Sequence, residues 1–226
     1  FTVAVTAGEI CPEPRAELFG HLDAANVDLK AFSDDFYRRL CGGRLQPVLD
    51  TLVYLKNETR VWVELTTLLI PGENDSEDEL DAWLDDIDTY FLVDVFVAEI
   101  ASKTPGRLAR AERWVASDRD RTAQAGWDLM NLVALSADEV DDDYFEAQLG
   151  LITERISGYG NWTRRSASNT ITGIGLRNDT LEAAARRTAA EMGHVEFDPG
   201  QTSCVMPDPI EYLEKTKAYR AKQAAK

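Results

Sequence analysis

The sequence predicts parallel βα units followed by an all-helical α-solenoid, and two observations carry that division. Up to about Asp86, short β-branched runs alternate with amphipathic stretches, as in strands each followed by a covering helix. After about Ile87 the strand signals fade, and amphipathic helices follow one another across short polar breaks, as in stacked antiparallel pairs. The domains therefore read as 1–86 and 87–226. At 226 residues and 44% hydrophobic content, the chain has the apolar side chains to fill both cores.

In the front piece the strand candidates are Phe1 to Val5, Ala25 to Ala31 and Val61 to Leu69, each running into a loop with Gly, Pro, Ser or Asp. Leu45, Val48, Leu49, Leu52 and Val53 fall at i, i+3, i+4, i+7 and i+8, which gives one apolar helical face to lay on the sheet. The next helix begins after Pro71-Gly72. Ser76 and Glu79 have capping-box spacing there, and Leu80, Trp83, Leu84 and Ile87 supply the buried stripe.

Ligands in parallel βα architectures sit at the carboxyl ends of strands. Three such ends are chemically suggestive: Thr6-Ala7-Gly8, Asp28-Leu29-Lys30, and Pro71 to Asp75. Period-two alternation puts Asp28 and Lys30 on one side of their strand, where they would hold a polar, charged ligand or form a structural salt bridge.

In the rear piece Phe145, Leu149, Ile152 and Ile156 make the clearest helical stripe. Ala125, Leu129, Leu132 and Val133 make a second, and Leu181, Ala185, Thr188 and Met192 a third. Between Arg155 and Arg187 lie six arginines, Arg155, Arg164, Arg165, Arg177, Arg186 and Arg187, against Asp179 and Glu182. With Tyr159 and Trp162 beside them, these read either as a phosphate-facing surface with stacking aromatics or as a solvated helix face over two core aromatics.

Composition sets limits. A formal net charge of -16 opposes DNA binding if taken globally, yet an acid-rich, lysine-poor surface also suits a salt-rich cytoplasm, where global charge says little about partners. Cys11, Cys41 and Cys204 are odd in number and far apart, which fits a reducing cytoplasm and suggests neither a disulfide framework nor a metal site. Apolar runs are too short to span a membrane. The chain opens on Phe1 without Met or a signal peptide, so its start reads as truncated. Glu191, His194, Glu196, Asp198 and Cys204 match no standard ligand spacing and read as a connecting loop, while Lys215, Lys217, Arg220, Lys222 and Lys226 make a basic C-terminal helix or tail.

Two resemblances sharpen these readings. The runs Ala24 to Phe32, Pro47 to Leu52 and Thr66 to Asp75 resemble the AmmeMemoRadiSam-type radical SAM enzymes over about the first 85 residues. The resemblance implies a partial TIM-type barrel and S-adenosylmethionine as cofactor, with Gly8, Asp28 and Lys30 at its binding positions. The Cys-x-x-x-Cys-x-x-Cys loop that such chemistry needs is missing, so an iron–sulfur cluster is not expected and the fragment reads as inactive. Its open sheet edges imply a homo-oligomer.

The order Ile87 to Asp94, Ala125-Gly126-Trp127, Ile174 to Asn178 and Val195 to Asp208 resembles the AlkD-like DNA alkylation repair family, a HEAT-like solenoid. That resemblance implies damaged DNA as partner and a glycosylase-type site. Asp94 would be the acid that stabilises the sugar cation, and Tyr90 stands one turn earlier where the family prefers Trp. Arg155, Arg164, Arg165, Arg177 and Trp162 would contact DNA. An expected Arg is Gln124 and a second expected Trp falls near Asn169, so base excision is expected to be weak at most.

Overall fold

The computed structural model describes residues 1–137, 139–198, 200, 206 and 208–224. It divides into two compact units, Phe1–Trp83 and Leu84–Lys226.

In the first unit, β1 (Val3–Thr6), β2 (Ala24–Asp28) and β3 (Trp62–Thr66) form one parallel sheet in the order β1-β2-β3. The crossovers carry α1 (Pro12–Phe19), then α2 (Asp34–Phe36) with a π-helical turn (Tyr37–Cys41), and α3 (Leu45–Glu58). Alternation in β2 turns Ala25 and Val27 toward these helices, where they pack with Phe19, Phe36, Tyr37, Val48 and Leu55. Ala24, Asn26 and Asp28 face the other way and are half-buried. On that face Val3, Val5 and Trp62 are exposed. These three strands form an open sheet and not a closed eight-stranded barrel.

Two strands are shorter than the sequence predicts, because side chains take over the ladder. Leu29 still donates its N–H to Thr66 O, but the Lys30 N–H turns to the Tyr37 hydroxyl at 3.0 Å. Beyond β3, buried Asn74 donates to Lys30 O at 2.6 Å and to Leu68 O at 2.9 Å, replacing strand pairing with a pinned loop. α4 (Glu77–Asp86) then starts where the capping pattern predicts, with Ser76 Oγ accepting from Glu79 N at 3.2 Å. The reciprocal half of the box is absent: the Glu79 carboxylate instead accepts from the Phe32 N–H. Burial pushes its pKa up.

The second unit is helical: α5 (Tyr90–Phe96) with a π-helical extension (Val97–Ala101), α6 (Arg107–Val115), α7 (Asp120–Ser136), α8 (Asp142–Arg155), α9 (Asn161–Gly175), α10 (Asp179–Met192) and α11 (Pro209–Ala224). α7 is central, packing against α5, α6 and α9. Small residues on α9 let the α7–α9 pair close. Thr163, Ser166, Ser168, Thr170 and Thr172 are all buried, and Thr170 Oγ donates within reach of both Trp127 O and Ser166 O at 2.8 Å. Phe145, Leu149, Ile152 and Ile156 are buried as their spacing requires, as are Leu181, Ala185 and Thr188. Among the described residues no helix is long and apolar enough to cross a membrane.

The α6–α7 contact depends on a missing side chain. A Cβ at Gly126 would lie 2.3 Å from Val115 N and 2.7 Å from Trp114 C, both backbone atoms that cannot rotate away. Gly126→Ala is therefore expected to destabilise the helical unit by about 3 kcal/mol, lowering Tm by roughly 10 °C. Thermal melting followed by far-UV circular dichroism measures this, and an unchanged midpoint would show that the two backbones have room to separate.

Candidate functional site

Residues 90 and 94 lie one turn apart, so α5 presents Tyr90 and Asp94 on one face while Val93 and Phe96 enter the core. Tyr90 stacks on Trp162, near the start of α9, with ring centroids 3.5 Å apart and planes 7° from parallel. Phe197 meets Trp162 edge-on at 5.1 Å. The segment carrying Phe197 is held by a reciprocal pair: Asn161 Nδ2 donates to Asp198 O at 2.6 Å, and Asp198 N donates to Asn161 Oδ1 at 2.8 Å.

Asp94 is held by two other helices. Gln124 on α7 donates Nε2 to Asp94 Oδ1 at 3.0 Å and also reaches Tyr90 O at 3.2 Å. Arg165 on α9 donates Nη1 to Asp94 Oδ2 at 3.1 Å, while its guanidinium lies 5.9 Å from the Trp162 ring centroid. Thus the position where the resemblance expects an arginine contributes a neutral amide, and the cation arrives from α9.

A second acid joins them. Asp128 stands one turn beyond Gln124 on α7, where Asp94, Ser166 and Arg165 act on its carboxyl. Burial, then the negative charge of Asp94, push the Asp128 carboxyl up to about 7, against the opposing influence of Ser166 and Arg165. Asp128 Oδ2 and Gln124 Oε1 are both buried without a hydrogen-bond partner among the described residues. Chemically, the site offers a carboxylate, a second carboxyl group, one guanidinium and an aromatic stack. It is suited to an ionic ligand with a flat or sugar-like part. Sequence reasoning missed Asp128. The available signal was an acid placed among the apolar positions Ala125, Leu129, Leu132 and Val133.

The other arginines are dispersed. Arg177 is clamped inside: Nη1 donates to Ala134 O at 2.6 Å and Nη2 to Ala137 O at 3.0 Å and Val140 O at 3.2 Å, while the guanidinium covers Phe145 at 4.3 Å. It is not brought together with Tyr90, Asp94, Trp162 and Arg165. Arg164 donates Nη2 to Ser157 O at 2.9 Å, and Arg155 is exposed at the end of α8. Arg186 pairs with Glu182 and Glu214, and Arg187 approaches Glu146 at 3.9 Å. Trp162 is not an open platform, because Tyr90 covers one ring face. Tyr159 packs against Trp127 at 6.2 Å, and burial raises its pKa.

In the first unit, Asp28 and Lys30 meet at the carboxyl edge of the sheet as an ion pair of 2.7 Å, each side chain about one-third exposed. Gly8 follows β1 with φ +75°, and a Cβ there would lie 2.8 Å from Val27 Cγ1, so its role in the fold needs no ligand. The Pro71 to Asp75 loop satisfies itself, with Gly72 N donating to Asp75 Oδ1 at 2.7 Å and Glu73 pairing with Arg39 at 2.5 Å. Cys11 and Cys41 are free and exposed, and among the described residues no three His, Cys, Asp or Glu gather at one point. These residues do not fit an iron–sulfur cluster. Cys204 and Lys226 lie outside the described residues.

Asp128 gives the helical unit a pH signature. Its folded pKa lies above the unfolded value, so between about pH 4 and about pH 7 the folded chain keeps a proton that the unfolded chain has released. Stability is lost as pH rises through that window. Asp128→Asn removes the titration, so its Tm is expected to match the parent near about pH 4 and exceed it by several degrees near about pH 8, a gain on the order of 2 kcal/mol. Paired melts across pH measure the gap; a gap of constant size would mean Asp128 does not carry it.

No family model matches the chain. Among curated proteins it is 32% identical over 121 residues to an uncharacterized protein of Listeria innocua, covering 54% of this chain and 52% of that one. It is 34% identical over 110 residues to an uncharacterized protein of Methanocaldococcus jannaschii, covering 49% of this chain and 29% of that one. The chain thus spans about half or less of the curated relatives it matches. Among solved structures, it is similar to one described as a new family of proteins related to the HEAT-like repeat DNA glycosylases with affinity for branched DNA structures. The TM-score is 0.58 at 17% identity, over 92% of this chain and 78% of that one. The helices share a HEAT-like fold.

Proposed function

We propose that the helical unit binds DNA that departs from a uniform duplex, branched or damaged, through the surface around Tyr90, Asp94, Trp162 and Arg165, with at most weak base-excision activity. The observation that carries this reading is the Asp94 carboxylate fixed by Gln124 and Arg165 directly beside the Tyr90–Trp162 stack. A fixed carboxylate favours developing positive charge on a sugar, and an aromatic stack favours an unpaired base. The HEAT-like fold shared with a protein described as having affinity for branched DNA supports the same partner.

Charge sets how such binding behaves. With a net charge of -16 and most of the local arginines engaged internally, only a few cations are available to displace counterions from phosphate. Junction binding measured by fluorescence anisotropy is expected to show a shallow salt slope, equivalent to about two or three phosphate contacts. Replacing both Arg164 and Arg165 with Glu is expected to weaken it at least about tenfold. Equal affinity for a four-way junction, an abasic duplex and heparin, insensitive to that double substitution, would refute the reading.

A second reading applies to the first unit, which we infer to be a fragment of a radical SAM-type barrel that holds S-adenosylmethionine without driving radical chemistry. Supporting it, the Asp28–Lys30 pair, about one-third exposed, lies at the carboxyl edge of a parallel sheet, where both charges can be redirected to a zwitterionic ligand. Titration calorimetry with S-adenosylmethionine is expected to give a Kd in the millimolar range or tighter that Asp28→Ala together with Lys30→Ala abolishes. No heat at millimolar ligand ends this reading.

A further inference from the structure

The Tyr90 and Trp162 rings form a centred sandwich, with centroids 3.5 Å apart and planes 7° from parallel. Aromatic side chains prefer offset or edge-on pairing to that arrangement, whereas a nucleobase stacks readily on an indole face. The two rings also differ in how they are held. Trp162 follows Asn161, which is bonded in both directions to Asp198; Phe197 meets the indole edge-on, and Arg165, three residues further along α9, is tied to Asp94. Tyr90 is the first residue of α5, behind an N-cap, Thr89, whose side chain makes no capping bond. Its carbonyl is held by Gln124, but its hydroxyl has no hydrogen-bond partner among the described residues, and the residue is half-buried. Rotation of the Tyr90 side chain therefore uncovers the indole while the backbone bond to Gln124 and the Asp94–Arg165 pair stay in place.

We propose that the face of Trp162 under Tyr90 is a subsite for one unpaired nucleobase, and that Tyr90 is its gate, filling the subsite in the free protein and turning out when a base arrives. This rests on the DNA-binding reading of the same surface and names what that surface selects: a base outside the duplex stack, as at a bulge or a branch point. The Arg165 guanidinium lies 5.9 Å from the indole centroid, so a cation stands beside the nucleotide that the indole holds. A paired base stays in its own stack and does not reach the indole. Displacing Tyr90 consumes part of the stacking gain, so the gate sets a threshold that a base exceeds and a sugar without a base does not. Tyr90 is thus a specificity-determining residue.

The test uses the full chain and two fluorescein-labelled duplexes, one with a single-nucleotide adenine bulge and one with an abasic residue in the same bulge. Affinities are compared by fluorescence anisotropy at fixed salt. The parent is expected to prefer the adenine bulge by about threefold, and Tyr90→Ala, with the gate removed, by about thirtyfold. Trp162→Ala is expected to abolish the preference, and Tyr90→Phe to keep the parent's, because the hydroxyl is not used. A preference in Tyr90→Ala equal to or below the parent's overturns the gate, and is the outcome if Tyr90 only braces Trp162. Should Tyr90→Ala not fold, the parent labelled with 3-fluorotyrosine supplies a second readout, its Tyr90 19F signal being assigned by its loss in Tyr90→Phe. That signal is expected to lose the ring-current shift of the stack on adding the adenine bulge and to keep it on adding the abasic one; an equal response to both overturns the gate. Binding to a four-way junction with no base preference in any of the proteins overturns the subsite and leaves the DNA reading standing. No binding to bulge or junction by any of them overturns both.

Discussion

The Asp94 carboxylate is reached by an amide from α7 and a guanidinium from α9, and this junction fixes the geometry of everything around it. α5 and its π-helical extension span only 7 and 5 residues, a backbone ladder too short to set their position. The attachment of α5 comes from burying Val93 and Phe96 and from the charged bond at Asp94. Tyr90 stands one turn before Asp94, and Trp162 three residues before Arg165. Docking Asp94 to Arg165 therefore also brings the two rings into register, and the stack follows from the ion pair as much as from the attraction between the rings. Such a pair, partly desolvated, contributes more than an exposed one, and removing either partner leaves a charge in a low-dielectric pocket.

Close helix approach makes that junction reachable. Short side chains such as those of Gln124 and Asp94 meet only when their helices are near, and the α7–α9 seam meets this with Ser, Thr and Gly where larger apolar residues would hold the helices apart. Buried hydroxyls normally carry a desolvation cost, but Thr163 and Thr170 discharge it onto Asp120 and onto carbonyls of α7 and α9. The cost that remains sits at Gln124, Trp127, Asp128, Asn131 and Ser166, whose buried polar atoms lack a partner among the described residues. A stability-driven seam would place apolar atoms there, so these unpartnered groups mark parts of the interface not optimised for packing alone.

Sequence periodicity made the helices and strands legible because burial enforces it: the Phe145 stripe and the Ala25–Val27 alternation both reappear as core. The strand ends were not legible, because Asn74 and Tyr37 end the ladders from 44 and 7 residues away, and no local pattern records such partners. The motif from Ile174 to Asn178 is informative in another way. Gly175 lies where a Cβ would meet Leu213 Cδ1 at 2.5 Å, Arg177 clamps three carbonyls, and Asn178 caps α10 through Leu181 N at 3.0 Å. Residues resembling those of a DNA-binding family thus serve the fold here. At the site, the i, i+4 spacing of Tyr90 and Asp94 was readable, whereas the convergence of Asp128 and Arg165 on Asp94 needed three helices in place.

The arginine count alone gave a surplus of four positive charges between Arg155 and Arg187, against the -16 of the whole chain. Three-dimensional pairing removes most of that surplus: Arg177 is internal, Arg186 is shared by two glutamates, and Arg165 neutralises Asp94. A long-range attractive field for a polyanion is therefore not built into this unit, and a uniform duplex has little to gain from approaching it. What survives is short-range: one fixed carboxylate, one guanidinium and an aromatic pair. Those groups reward a ligand only after it has come within contact distance and presented an unstacked base, an exposed sugar or a strand end. A branched or damaged duplex presents such features and an intact one hides them, so on the proposed reading the acidity of the chain would add to that discrimination.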